Sequence, residues 1–321
     1  MFQPRPYGET QEIGFLLLPK FSLLAFASAI EPLRVANLLS GRRLYDWHLI
    51  SPDGQPVPAA NAMLSLVDHS LDSAPSLPAV VVTASYDHGA AITPAVLAWL
   101  RRATAFGTAL GSIDTGAFAL GAAGVLDGYR ATTHWEELEA FTERFPRIEV
   151  QQDLFTVDRD RFTSAGGTAG LDMMLNLIRS QHGQDLAAAC ADTFVYARIR
   201  DARDSQRMPL RQRLATSNPK LIRAVEAMEQ ALEEPVTTQA IAEQAGASLR
   251  ELERMFRRWL QITPGGYYRR LRLERARALL QQTDQPIIDI ATACGFASAA
   301  HFSRSYRQRF GRAPSADRSL S

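Results

Sequence analysis

At 321 residues the chain has room for two domains, and its net charge of +1 conceals an uneven division between them. Residues 216–321 carry 16 Lys and Arg against 11 Asp and Glu, whereas residues 1–215 carry 19 against 23, so a basic end suited to phosphate follows a mildly acidic front. The two cysteines, Cys190 and Cys294, fit neither a metal-ligand spacing nor a disulfide framework; Met1–Pro6 lacks the apolar core of a secretory leader, and no uninterrupted apolar run reaches about eighteen residues, so a soluble, cytoplasmic protein with no membrane contact is expected.

From Ile13 onward, short apolar runs alternate with segments of helical period, the pattern of a parallel sheet covered on both faces. Ile13–Leu18 and Ala79–Val82 read as buried strands, and Ala109–Ile113 as a shorter one. Ser22–Leu39, Pro94–Ala105, Gly116–Ala123 and Gly167–His182 read as helices. The expected fold class is therefore an α/β domain, mostly parallel with helices on both faces, followed by an all-α domain. The boundaries are 10–197 for the first domain, a polar, Arg-rich linker over 198–219, and 220–318 for the second.

Ligands in such a sheet gather at the carboxyl ends of strands, where helix N-termini aim N–H groups into a crevice. Gly111-Ser112-Ile113-Asp114-Thr115-Gly116-Ala117-Phe118 is a strand turning sharply into a helix, with small residues around one protruding side chain. That is nucleophile-elbow geometry, in which hydrolases place Ser or Cys at the apex. Here the apex is Asp114, a poor nucleophile toward amides or esters, which argues against amidase or protease activity. The helix N-terminus behind Asp114 is expected to keep it ionised, and Thr115 is counted with it in the pocket. A cationic ligand then fits, and Trp135, next to His134 in the chain, offers a ring face worth about 0.5 to 2 kcal/mol in cation–π attraction. Gly166-Gly167-Thr168 opens a helix after a strand; it is a tight turn whose N–H groups also suit a ligand carboxylate. Asp114, His134 and Glu31 form no compact metal motif, and neither metal nor cofactor is expected.

The last hundred or so residues repeat themselves. Ile241-Ala242 and Gly246 recur as Ile290-Ala291 and Gly295 at an offset of 49, and Leu252, Arg254, Phe256, Arg257 and Pro264 recur as Phe302, Arg304, Tyr306, Arg307 and Pro314 at an offset of 50. A short apolar helix, a Gly turn and a helix apolar on one face with arginines on the other is a helix-turn-helix, and two copies give two groove readers. In the first, Leu252, Phe256 and Trp259 form the inward stripe, leaving Arg250, Glu253, Arg254 and Arg257 to face DNA, with Ser248 at the head of the helix. In the second, Phe302 and Tyr306 point inward, while Ala299, Ala300, Ser303, Arg304 and Arg307 face away; the small residues allow close approach. The Arg-rich helix from Tyr267 to Leu280 is expected to be the strut that sets the readers in major-groove segments about one turn, roughly 34 Å, apart.

The repeated segment resembles the AraC family of transcriptional regulators, on Ala293-Cys294-Gly295-Phe296 and on His301–Arg307 through Phe310-Gly311 and Pro314. The front domain is similar to the class I glutamine amidotransferase-like fold, flavodoxin-like in architecture, in the branch of PfpI-type proteases. That likeness rests on Glu31–Asn37, the elbow, Ala122–Gly128 and Ala131–Trp135. Together they resemble the GlxA type of AraC regulator. The resemblance implies that enzymes of this fold carry Cys at the position of Asp114, a His near His134, and a Glu near Glu31 that supports the thiol, so Glu31 is expected beside Asp114 as a second anionic group. It further implies operator DNA as partner, a homodimer, and RNA polymerase as an additional partner; the helices Leu171–His182 and Asp185–Arg198 are expected to carry the dimer contact or the coupling to DNA. The expected function is a ligand-responsive activator of amino-acid or quaternary-amine catabolism, its effector a small cation or zwitterion such as an amino acid, glycine betaine, choline or carnitine. The alternatives are a hydrolase with a DNA-binding tail, for which Cys190 is the remaining thiol, and a regulator whose front domain binds only protein.

Overall fold

A computed structural model describes residues 9–85, 88–283 and 285–318; Met1–Pro6, read above for a leader, lies outside the described residues. The chain divides into two compact units, residues 1–206 and 207–321.

The first unit is built on a seven-stranded sheet. In chain order its strands are β1 (Gln11–Leu17), β2 (Tyr45–Ser51), β3 (His69–Ser70), β4 (Ala79–Ala84), β5 (Ala109–Asp114), β6 (Phe155–Asp158) and β7 (Arg161–Ser164). They lie in the order β6-β7-β5-β4-β1-β2-β3, parallel at every step except β6–β7. The apolar runs are continuous because both faces are covered: all six residues of β4 are buried, and so are all six of β5. Period two still sorts the side chains. Ile13, Phe15 and Leu17 enter one core with helices α1 (Leu23–Ser40), α5 (Ala169–His182) and α6 (Gln184–Thr193). Leu16 and Leu18 enter the other, with α2 (Pro94–Ala105), α3 (Gly116–Ala122) and α4 (Leu138–Arg144). Helix α1 has the length and mean hydropathy (1.3) of a membrane-crossing segment, but Ala25, Phe26, Ala29, Leu33 and Ala36 are sealed into the first core.

Helix α6 stops at Thr193 instead of running to Arg198, because the chain turns at Val195 (φ +54°) and comes back to satisfy a buried acid. Asp172, fully buried in the first turn of α5, accepts from the Arg200 backbone N–H (2.7 Å), Arg200 Nε (2.9 Å) and the Tyr196 hydroxyl. Such a carboxylate is costly to bury without partners. Arg200 Nη2 also donates to Thr168 Oγ1 (2.7 Å). The polar stretch from Arg198 to Gln206 is thus laced onto the first unit.

The second unit is all helical: α7 (Pro219–Gln230), α8 (Thr238–Gln244), α9 (Leu249–Leu260), α10 (Pro264–Gln282), α11 (Ile287–Ala293), α12 (Ala299–Phe310) and α13 (Pro314–Arg318). The sequence repeat reappears as two small cores. Ile241, Ala242, Ala245, Leu252 and Phe256 fill one, and their counterparts Ile290, Ala291, Cys294, Phe302 and Tyr306 fill the other. Helix α10 belongs to both, giving Tyr267 and Tyr268 to the first and Leu273, Ala276, Leu279 and Leu280 to the second. A single helix embedded in two cores is a physical strut between them.

Candidate ligand pocket and nucleic-acid interface

Strand β5 delivers Asp114 to the turn into α3 with φ +59°, the left-handed conformation expected of an elbow apex and uncommon for a residue with a Cβ. Three segments distant in sequence close around it. From the end of β4, the Ser85 hydroxyl bonds its carboxyl, and Thr115 Oγ1 donates to Ser85 O (2.8 Å). From the segment before α4, Thr133 Oγ1 donates to Asp114 O (3.0 Å). From the β7–α5 turn comes Gly166 (φ +84°), where an added Cβ would stand 2.7 Å from the Cβ of Asp114, so only glycine fits.

This enclosure corrects the expectation that Asp114 is held ionised. Burial pushes its carboxyl up to about 7; the hydrogen bonds from Ser85 and the Thr115 N–H pull the other way without prevailing, and Glu136 adds a like charge. Helix α3 spans only Gly116–Ala122, too short for its dipole to outweigh the loss of water. The like charge that bears on Asp114 is that of Glu136; Glu31, the anion expected beside it, sits on α1 with its carboxylate on Arg34 at 2.6 Å. Glu136 lies two residues past His134, close enough in sequence to have been noticed; Ser85 carries no such signal, being brought in by the pairing of Ala84 with Asp114.

His134 and Trp135 follow directly on Thr133. Burial holds the His134 imidazole below its usual range, against the pull of Glu136, whose Oε2 lies 3.6 Å from Nδ1. Trp135 is 37% exposed, its ring 5.6 Å from that of His134. The remaining thiol of this unit, Cys190, is fully buried in the first core, and burial pushes it up to about 11, which leaves it without thiolate at neutral pH.

In the second unit each reader has the same construction. Ser248 Oγ accepts from Glu251 N (3.2 Å) and Ser298 Oγ from His301 N (3.2 Å), so Ser248, expected at the DNA, has its hydroxyl engaged as a helix cap. Gly246 and Gly295 turn at φ +67° and +70°, and at Gly295 an added Cβ would fall 2.1 Å from Pro235. The inward stripe of α9 is Leu252, Met255 and Phe256; Trp259, expected among them, is 43% exposed in the last turn, where Leu260 packs on the core instead. Arg250, Glu253, Arg254 and Arg257 are exposed on α9, as are Ala299, Ala300, Arg304 and Arg307 on α12, with Ser303 half-buried.

The arginines fall into two sets. Three on the strut are engaged internally: Arg272 donates to Gly295 O (2.9 Å), Arg275 to Glu233 Oε1 (2.6 Å), and Arg277 pairs with Asp317 (3.1 Å). Among the described residues no ion pair engages Arg250, Arg254, Arg257, Arg304 or Arg307. Exposed, uncompensated cations along two reader helices are what phosphate and base edges require.

Residues 15–180 match the DJ-1/PfpI family and residues 241–319 the helix-turn-helix domain family. The chain is 46% identical over 308 residues to the HTH-type transcriptional regulator GbdR of Pseudomonas aeruginosa, covering 96% of this chain and 84% of that one. It is 40% identical over 306 residues to the HTH-type transcriptional regulator GlxA of Rhizobium meliloti, covering 95% and 94%. Among solved structures, an AraC family transcriptional regulator from Pseudomonas putida superposes with a TM-score of 0.52 at 30% identity, over 57% of this chain and 99% of the other.

Proposed function

The chain belongs to the AraC family of transcriptional regulators, in the branch that carries a DJ-1/PfpI domain ahead of the helix-turn-helix pair, and on that premise we propose that its first unit is a sensor for a small cationic or zwitterionic effector. The observation that carries the proposal is the apex itself. Where a catalytic elbow needs a nucleophile, this one has a buried carboxyl facing Glu136, with its ionisation poised near neutrality. An incoming ammonium, guanidinium or quaternary amine restores the charge that burial suppresses, and Trp135 supplies a ring face for it. The Gly166-Gly167 turn at the start of α5 suits the carboxylate of an amino acid or betaine. The unit acts as a receptor and not as a hydrolase, since Asp114 replaces the nucleophile and Cys190 is inert. The target genes are those of amino-acid or quaternary-amine catabolism, read in the cytoplasm by a homodimer.

Two measurements test this. Thermal unfolding of the purified protein against glycine betaine, carnitine, choline, arginine, polyamines and neutral controls should give a shift for a cation or zwitterion, because ligand at about a hundred times its Kd adds roughly 2.7 kcal/mol. The shift should vanish in Asp114→Ala. No shift across the panel would favour a front domain that binds only protein. For the reader helices, Arg254→Ala and Arg304→Ala should each weaken operator binding by about 1 to 3 kcal/mol in fluorescence anisotropy at fixed salt, the cost of one bidentate guanine contact. Arg275→Ala, whose partner is internal, should show its effect in the melting temperature. Normal operator affinity in both reader variants would remove these helices from the grooves.

A further inference from the structure

Gln206, the last residue of the first unit, is fastened to the segment that holds Asp114. Its Nε2 donates to Thr133 O (3.1 Å), Thr132 Oγ1 (3.1 Å) and Asp153 O (2.8 Å), while its Oε1 is buried without a partner among the described residues. Thr133 Oγ1 in turn donates to the carbonyl of Asp114. One residue, Thr133, therefore grips the elbow apex with its side chain and the end of the sensor with its backbone.

The strap that ends in Gln206 touches the pocket a second time. Arg200 binds Thr168 and Asp172, and these lie just after Gly166, which packs on the Asp114 side chain. Between these moorings the strap holds by Leu154 N–H on Ala202 O (2.8 Å) and a bridge between Asp153 and Ser205. Its middle, Asp201–Asp204, borders an open cavity of about 470 Å³ shared with Phe155, Asn176 and Arg179. The segment is fastened at both ends by polar contacts to elements that enclose Asp114, and Ile199 and Ala202 pack it on the first core, so a displacement at the Asp114 end is passed along it.

We propose that Arg198–Gln206 is the transmission element of the sensor, moored or freed according to the state of the Asp114 pocket through Thr133 and Gln206. The inference rests on the sensor reading of Asp114 and adds the route by which that pocket governs the chain leading into the DNA-binding unit. Gln206 is a positioning residue: it touches no effector and no DNA, and the mooring offers a discrete two-state element of the kind that coupling needs.

The test is a double-mutant cycle on operator affinity that needs no effector. Asp114→Asn fixes the pocket in its uncharged form and should change operator affinity about fivefold or more, the lower end of ordinary couplings. In a Gln206→Glu background, which keeps the shape but loses the donor, the same substitution should change nothing. Thr133→Val should abolish the effect equally, and Thr133→Ser, which keeps the hydroxyl, should preserve it. Melting temperatures verify that each variant is folded. Additive effects of Asp114→Asn and Gln206→Glu in folded proteins would overturn the proposal, as would an operator affinity indifferent to Asp114→Asn. The thermal shift with glycine betaine or arginine separates the two readings: retained in Gln206→Glu while the cycle is additive, it leaves the sensor pocket standing and removes only the strap.

Discussion

Asp114→Asn is expected to stabilise the first unit at pH 8 and to leave it unchanged at pH 4. Burial raises this carboxyl from 3.8 to about 7, so the folded protein binds a proton that the unfolded chain gives up earlier. Stability falls with pH wherever the native state holds more protons, here through the window from about 4 to 7. Below that window the carboxyl is protonated in both states, and the neutral amide confers no advantage. Above it the wild type carries an ionised group at 7% exposure, next to Glu136, at a cost of about 4 kcal/mol by the size of the shift. The neutral amide avoids that cost, so the expected gain at pH 8 is on the order of 4 kcal/mol. Calorimetry of both proteins from pH 4 to 8 should show melting curves that coincide at the acid end and diverge through neutrality. A constant difference would mean that Asp114 is ionised throughout. The same proton predicts that a cationic effector binds more tightly as pH rises toward 7, by up to about tenfold per unit, because binding must expel it.

The reader pair was legible because two local signals coincide there. Helical period places Leu252 and Phe256 inward, and the repeat places Phe302 and Tyr306 inward at the same points; the two cores contain these residues. The elbow was legible for a similar reason, since a strand, a protruding residue and a glycine-led helix are adjacent in sequence. The charge of Asp114 was not, because it depends on Ser85, Thr133, Glu136 and Gly166, none of which is a local neighbour. The stretch from Arg198 to Gln206 misled in the opposite way. Polar, Arg-rich composition signals an exposed linker, yet the buried Asp172 carboxylate, 28 residues upstream of Arg200, draws Arg200 and Tyr196 onto it and so ties the stretch to the first unit. Composition reports the polarity of a segment, whereas its location depends on whether the fold has buried a partner for it.

Asp317→Ala should be among the most damaging single changes in the DNA-binding unit. The carboxylate is 1% exposed and joins three helices: it accepts from the Tyr306 hydroxyl of α12 (2.6 Å) and pairs with Arg277 of α10 (3.1 Å) and with Arg312 (3.4 Å), which precedes α13. Removing it strands the phenol of a fully buried tyrosine, a loss of about 1 to 3 kcal/mol. The two guanidiniums are 40% and 44% exposed, so water re-solvates them and their ion pairs add little more. The expected total is about 2 to 4 kcal/mol, read as a lower urea midpoint at unchanged slope. Asp317→Asn, which keeps an acceptor for Tyr306, should recover much of it. Because Tyr306 is the inward anchor of α12, the alanine variant should also weaken operator binding at the groove segment assigned to α12 while sparing the one assigned to α9. Footprinting resolves the two: equal loss at both would mean that the strut transmits the damage between the cores, and no loss with a normal urea midpoint would show that this carboxylate does not hold the second reader in place.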